Sequence, residues 1–302
     1  MVGEVFRAFR ERGLGIAAYF SKADWHCPWY WNRELMGDKP TWRGPSYDPA
    51  KYPELWEQFS RFTRNQITEL CEQYGPIDIL WLDAGWVRAN NNQDFGLTEL
   101  LKELRVKQPW LLCADRTVGG PNENYVTPEQ CVPDEPLGVP WESCITVGKG
   151  FSFGYEDDYK TPRQLVQILV DVVAKGGNLA LNVAPQPDGR LPLGAMKSIE
   201  GLGSWLKTYG DAIYGTRVCA PYKKDKVAFT RKGETVYAIR LYESENEPVP
   251  SELLLPYDGK VESVSLLDSG ASLPFTAVPG GISVQLPEQQ GSAPIAHVFV
   301  LK

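Results

Sequence analysis

The run IDILWLD at residues 77–83 constrains the fold more than any other stretch of this chain. Gly75-Pro76 ends the helical pattern before it, and the run itself is almost continuously apolar until it closes on a carboxylate, Asp83. Strands of that kind belong to a parallel sheet buried on both faces. Similar runs recur: GIAAYF (15–20), WLLCAD (110–115), residues 143–147 and NLALNV (178–183). Helical patterns alternate with them. Residues 3–12 read as a helix, and Leu55, Phe59, Phe62, Ile67 and Leu70 recur at helical spacing. Further helices are predicted near 96–107, from Thr161 as N-cap with Pro162 in the first turn, and from about 193 to 209. Lys175-Gly176-Gly177 ends the helix that Thr161 starts.

This alternation predicts a (β/α)8-like barrel with polar residues at the strand C-termini forming the site. The five strands stand against the eight of a closed barrel, and about 215 residues against the typical ~250. The expectation is therefore a barrel lacking its first strands, with the remaining units placed before residue 1. From about residue 217 the pattern changes. VAFTRK, TVYAIRLY, SELLLP, ESVSLL, ISVQL and HVFVLK are short strands separated by turn residues, as in an antiparallel β-sandwich. The expected division is a catalytic domain over 1–216 and a C-terminal β-sandwich domain over 217–302.

The net charge of −7 argues against nucleic acid as a partner, since such proteins carry a basic face. The 10 tryptophans and 14 tyrosines, many in the first half, suit either a carbohydrate site or a large aromatic core. Sugars present apolar C–H faces ringed by hydroxyls, and indole and phenol rings match both. No run reaches the roughly 18 apolar residues of a membrane-spanning helix, and MVGEVFRAFRERGLG is no secretory signal. Six scattered cysteines without a CxxC pair read as reduced thiols. The expected location is cytoplasmic, with a secreted or periplasmic one open if a further N-terminal segment exists.

Asp83 is the strongest chemical candidate. A carboxylate at the C-terminal end of a buried parallel strand points to the site face, and Trp81, Gly85 and Trp86 surround it. The other reading is a strand-end aspartate capping the next helix. Asp78, at the strand start, reads as structural. A retaining glycosidase needs a second carboxyl about 5–5.5 Å away, to protonate the leaving oxygen and then activate water. Glu123, Glu129, Glu135 and Glu142 are the candidates in the long irregular stretch 116–160, and spacing does not choose among them. Arg116, at another strand end, would bind a carboxylate or sugar hydroxyls, or form an ion pair with Asp115. His26, in SKADWHCPWYW, would bind a hydroxyl or pack as a satisfied core histidine, and His297 reads as structural. Two distant histidines and no Cys–His cluster leave metal hydrolysis and a Ser–His–Asp triad without support. No GxxxxGK[ST] supports phosphate binding.

Taken together, AYFSKADWHCPWYW, ILWLDAGW, ADRTVGG, YVTPEQ, PWES and VDVVAKGGNLALNVAPQPDGRLP resemble the family 29 glycoside hydrolases, the α-L-fucosidases. They occur in the family's order across most of residues 11–215. The resemblance implies a barrel-like catalytic domain followed by a β-sandwich. It implies removal of terminal α-L-fucose from an oligosaccharide or glycoconjugate with retention, without metal or organic cofactor. By the same resemblance Asp83 is the nucleophile, and Trp81, Tyr19 and Arg116 line the fucose pocket. The Thr-Pro-Glu context favours Glu129 as acid/base, with Glu142 second and Glu123 third. Family members also carry an upstream Lys-His-His-Asp-Gly-Phe segment, whereas this chain has no paired histidines. Three explanations compete: a fragment, a short form completed by another chain, or a decayed enzyme that binds fucose without turning it over. A barrel lacking strands leaves open edges, so homo-oligomerisation is expected.

Overall fold

The computed structural model describes residues 1–36, 43–117, 119–288 and 291–302. They form two compact units, Met1–Thr127 and Pro128–Lys302.

The first unit runs α1 (Val2–Glu11), β1 (Ala17–Ser21), α2 (Pro53–Gln73), β2 (Ile79–Asp83), α3 (Leu97–Lys107) and β3 (Leu112–Ala114). The strands pair in parallel in the order β1-β2-β3. Phe59, Ile67 and Cys71 of α2 and Leu100, Leu101 and Leu104 of α3 share a core with Leu80 and Leu82 of β2. Every second strand residue turns to that core, because side chains alternate along a strand. Ile79, Trp81 and Asp83 take the other face, which is only half-buried. The apolar run thus reflects a covered face of leucines and a second face of larger, partly exposed groups. Asp78 is structural, as expected from its place at the strand start. Its Oδ2 accepts the Ile16 amide at 2.7 Å, setting the entry of β1 beside β2.

The second unit begins with β4 (Glu142–Thr146), α4 (Pro162–Ala174), β5 (Asn178–Asn182) and α5 (Leu193–Tyr209). β4 and β5 pair in parallel. Thr161 caps α4 in a capping box with Gln164, and Gly176 leaves the helix at φ +82°. Positive φ is freely open to glycine alone. Then come β6 (Arg217–Lys224), β7 (Val227–Lys232), β8 (Thr235–Leu241), β9 (Glu252–Leu255), β10 (Val264–Leu266), β11 (Phe275–Val278), β12 (Gly281–Gln285) and β13 (Ala296–Leu301). They form two antiparallel sheets, β10-β13-β8-β7-β6 and β11-β12-β9. The larger sheet is buried on both faces. Phe229, Ala238 and Phe299 pack with Leu255 and Val284 of the smaller sheet. Ala228, Ile239 and Val298, their neighbours in sequence, pack with Leu165, Val170 and Trp205 of α4 and α5. The unit is therefore layered helix–sheet–sheet. Arg163 of α4 fastens the layers by donating to the carbonyls of Tyr242, Ala293 and Pro294 at 2.7–3.0 Å.

Candidate active site

The alternation of β2 places Trp81 and Asp83 on one face, with Asp83 last in the strand. Parallel register sets Tyr19 of β1 beside Trp81, and Ser21 beside Asp83. The rings of Tyr19 and Trp81 stack with centroids 5.4 Å apart and planes 23° from parallel. The Tyr19 hydroxyl donates to Asp83 Oδ2 at 2.7 Å. On the other side, the chain leaving β3 brings Arg116 Nε to 3.3 Å from Asp83 Oδ1. The same guanidinium lies 4.8 Å from the Trp81 ring centroid, in cation–π range. Four of the residues singled out from the sequence, Tyr19, Trp81, Asp83 and Arg116, are thus one constellation at the C-terminal ends of adjacent strands.

Backbone conformations found rarely outside glycine hold it in place. Ala84, directly after Asp83, has φ +67°, and Arg116 has φ +57°. Non-glycine residues seldom adopt such angles, and they cluster where surrounding structure enforces them. Here the enforcing contact is Gly85. A Cβ at Gly85 would collide with the Arg116 carbonyl oxygen, so only glycine lets the two turns meet this closely.

Each Asp83 oxygen faces one donor, a phenol or a guanidinium, and the carboxylate is about a third exposed. Tyr19 is 62% exposed. The face is therefore partly open, with a carboxylate flanked by aromatic surface. The chemistry this permits is attack by a positioned carboxylate on an electrophilic carbon held against the rings. Cys113 of β3 is fully buried, and burial pushes its thiol up to about 12, so it offers no nucleophile. Among the described residues no group of three or more His, Cys, Asp or Glu is placed to hold a metal ion.

Trp86 packs against Trp25 at 6.0 Å and its Nε1 donates to the Tyr30 hydroxyl at 3.3 Å, within an aromatic cluster that includes Trp56 and Phe59. His26 is exposed, and its backbone amide donates to Asp24 Oδ1. Glu123 Oε2 accepts the Gly119 amide at 2.6 Å. Val118, within the ADRTVGG motif, lies outside the described residues. In the second unit Glu129 is exposed, on a segment that pairs in parallel with Cys144 of β4. Glu135 is exposed on the same irregular stretch. Glu142 is the first residue of β4, at the strand's N-terminal end.

One residue next to these strand ends escaped sequence reasoning. Lys22, directly after β1, is 1% exposed, and its Nζ donates to the Asp115 carbonyl at 2.7 Å. Its signal was faint: a lysine closing an apolar strand, which reads equally as a solvated end.

The α-L-fucosidase family pattern matches residues 1–211. An α-L-fucosidase of Branchiostoma floridae is 30% identical over 306 residues, covering 95% of this chain and 63% of the relative. The chain thus spans less than two thirds of that relative's length. Among solved structures, α-L-fucosidase isoenzyme 1 of Paenibacillus thiaminolyticus superposes with a TM-score of 0.81 at 28% identity, covering 99% of this chain and 74% of the other. The Thermotoga maritima α-fucosidase, solved in complex with fucose, gives a TM-score of 0.76 at 28% identity, covering all of this chain and 68% of the other. With the family pattern spanning more than two thirds of its residues, this chain belongs to the α-L-fucosidase family.

Proposed function

We propose that this chain is a retaining exo-α-L-fucosidase that removes terminal α-L-fucose from glycans. The observation that carries the reading is Asp83 at a strand end, with Tyr19 on one carboxylate oxygen and Arg116 on the other. Asp83 attacks the anomeric carbon and forms a C–O bond to it. The bond to the leaving oxygen breaks, and that oxygen takes a proton from an acid. The same group, now a base, removes a proton from water, which displaces Asp83 and returns the sugar with its original configuration. Arg116 offsets the negative charge of Asp83 and, with Tyr19, fixes its orientation. Trp81 gives the C–H face of the sugar an apolar surface.

Glu129 is our assignment for the acid/base. Its exposure supports this, and the place of Glu142 at the beginning of β4 counts against that alternative. The reading includes a barrel-like catalytic domain over 1–216 and a β-sandwich domain over 217–302. The parallel strands, the two antiparallel sheets and the likeness to solved fucosidases support it.

The test is hydrolysis of an aryl α-L-fucoside followed by NMR, with the α anomer expected as the first sugar product. Saturable fucose binding without turnover would instead make this a sugar-binding protein, and absence of both would leave a structural role. Replacing Tyr19 by Phe removes one hydrogen bond to a charged group. Such bonds contribute about 1.5–3 kcal/mol, and the exposure of Tyr19 sets the effect at the low end. We expect kcat/KM on the aryl fucoside to fall about tenfold.

A further inference from the structure

Three successive carbonyls beyond β3 are gripped from three directions. Lys22 Nζ donates to the Asp115 carbonyl at 2.7 Å. The Arg116 carbonyl sits against Gly85, which has no Cβ to repel it. The Arg88 guanidinium donates to the Thr117 carbonyl at 3.3 Å. The side chain of Asp115, itself 2% exposed, accepts the amide and the hydroxyl of Thr117 and closes the turn from within. The residue at the centre of this grip is Arg116, held at φ +57°.

Lys22 is the least expected of these contacts. Burial removes the amine from water and lowers its pKa, while Asp115, Cys113, Asp83 and Glu123 act in the opposite direction. Lysine is rarely buried this fully without a charged partner in contact. Here the hydrogen-bonded partner of the amine is a main-chain oxygen. Its own backbone amide donates to the Asp83 carbonyl at 3.2 Å, so one residue ties the ends of all three strands. A methionine would fill the same space and cap the same core, so packing alone does not call for an amine at this position.

We propose that Lys22 is a positioning residue for the fucosidase reaction. By fixing the Asp115 carbonyl it sets the left-handed turn at Arg116, and that turn aims the guanidinium at Asp83 and across Trp81. The inference rests on the proposed function for its kinetic consequence, and on geometry alone for its structural one. Small displacements of a catalytic constellation, caused by residues that never touch substrate, cost up to about 100-fold in rate.

The experiment is Lys22→Met, which keeps length and apolar bulk and removes the donor, combined with Arg116→Gln in a double-mutant cycle. Turnover of an aryl α-L-fucoside is measured per active site, titrated with a covalent mechanism-based inhibitor, so that loss of folded protein does not count. We expect K22M to lose about 10- to 100-fold, and the double variant to be no slower than R116Q within about twofold, because contacts acting through one group are not additive. A crystal structure of K22M is expected to show Arg116 Nε moved beyond ion-pair distance of Asp83. Additive losses in the cycle, or Arg116 unmoved in the K22M structure, would overturn the inference. A wild-type protein without turnover would sink the fucosidase reading and leave the structural arm to decide the role of Lys22. If K22M does not fold, Lys22→Gln, with a donor on a stem too short to reach Asp115, goes through the same cycle.

Discussion

Asp83→Gly is expected to abolish aryl fucoside hydrolysis by about 10⁴-fold or more, the scale on which loss of a catalytic nucleophile registers. The variant removes the one group that forms a bond to the anomeric carbon. It leaves Tyr19 and Arg116 without their shared acceptor but creates no buried cavity, since Asp83 is about a third exposed. The fold should persist, and a thermal melt checks that. The space left by the carboxylate admits a small anion. With azide and an activated aryl fucoside, attack from the face that Asp83 occupied should give β-fucosyl azide, the inverted product. Residual hydrolysis within tenfold of wild type, or no azide adduct from a folded variant, would remove Asp83 from the nucleophile's role.

The second large effect is expected at the acid/base and depends on the leaving group. General acid catalysis contributes about 10²–10⁴-fold, and it matters most when the departing oxygen is a poor leaving group. Glu129→Gln should lose that much on an alkyl α-L-fucoside. On a dinitrophenyl fucoside, whose phenolate leaves without a proton, the first step should be nearly untouched and the covalent intermediate should accumulate. Azide then attacks that intermediate from the opposite face and gives α-fucosyl azide. The two variants thus yield opposite anomers of one product, which separates their roles in a single NMR experiment. If Glu142→Gln or Glu123→Gln shows this pattern while Glu129→Gln does not, the acid/base role moves to that residue.

The regular elements were largely legible because their signals are local. Strands with alternate residues turned to a leucine core, helices opened by Thr161-Pro162 and closed by Gly176, and a carboxylate ending β2 are all written in short windows. Two strands of the second unit were not. β6 contains Pro221, whose missing N–H argues against a strand. The ladder accommodates it through a register shift between Val218 and Lys223. β11 is mostly exposed, FTAV with only partial burial, and carries little apolar contrast. The half-buried second face of β2 was hidden for another reason: tryptophan and isoleucine look equally apolar whether covered or not. Within the site, Tyr19 and Trp81 become neighbours only through parallel register, a long-range fact that no window contains. Lys22 and the turn at Arg116 were least legible of all, since a lysine after a strand is usually solvated and a left-handed arginine has no composition signal.

The sheet β10-β13-β8-β7-β6 has consequences for how such a gene can be rearranged. The chain changes from helices to strands at Thr216, which invites the picture of a detachable appendage. Yet Ala228, Tyr237, Ile239 and Val298 are sealed by helices encoded before that point. Transplanting residues 217–302 alone onto another protein would carry a bare oily flank with it. Inheritance should therefore keep α4 and α5 with the strands they cover, and swaps that succeed should take the junction upstream of those helices.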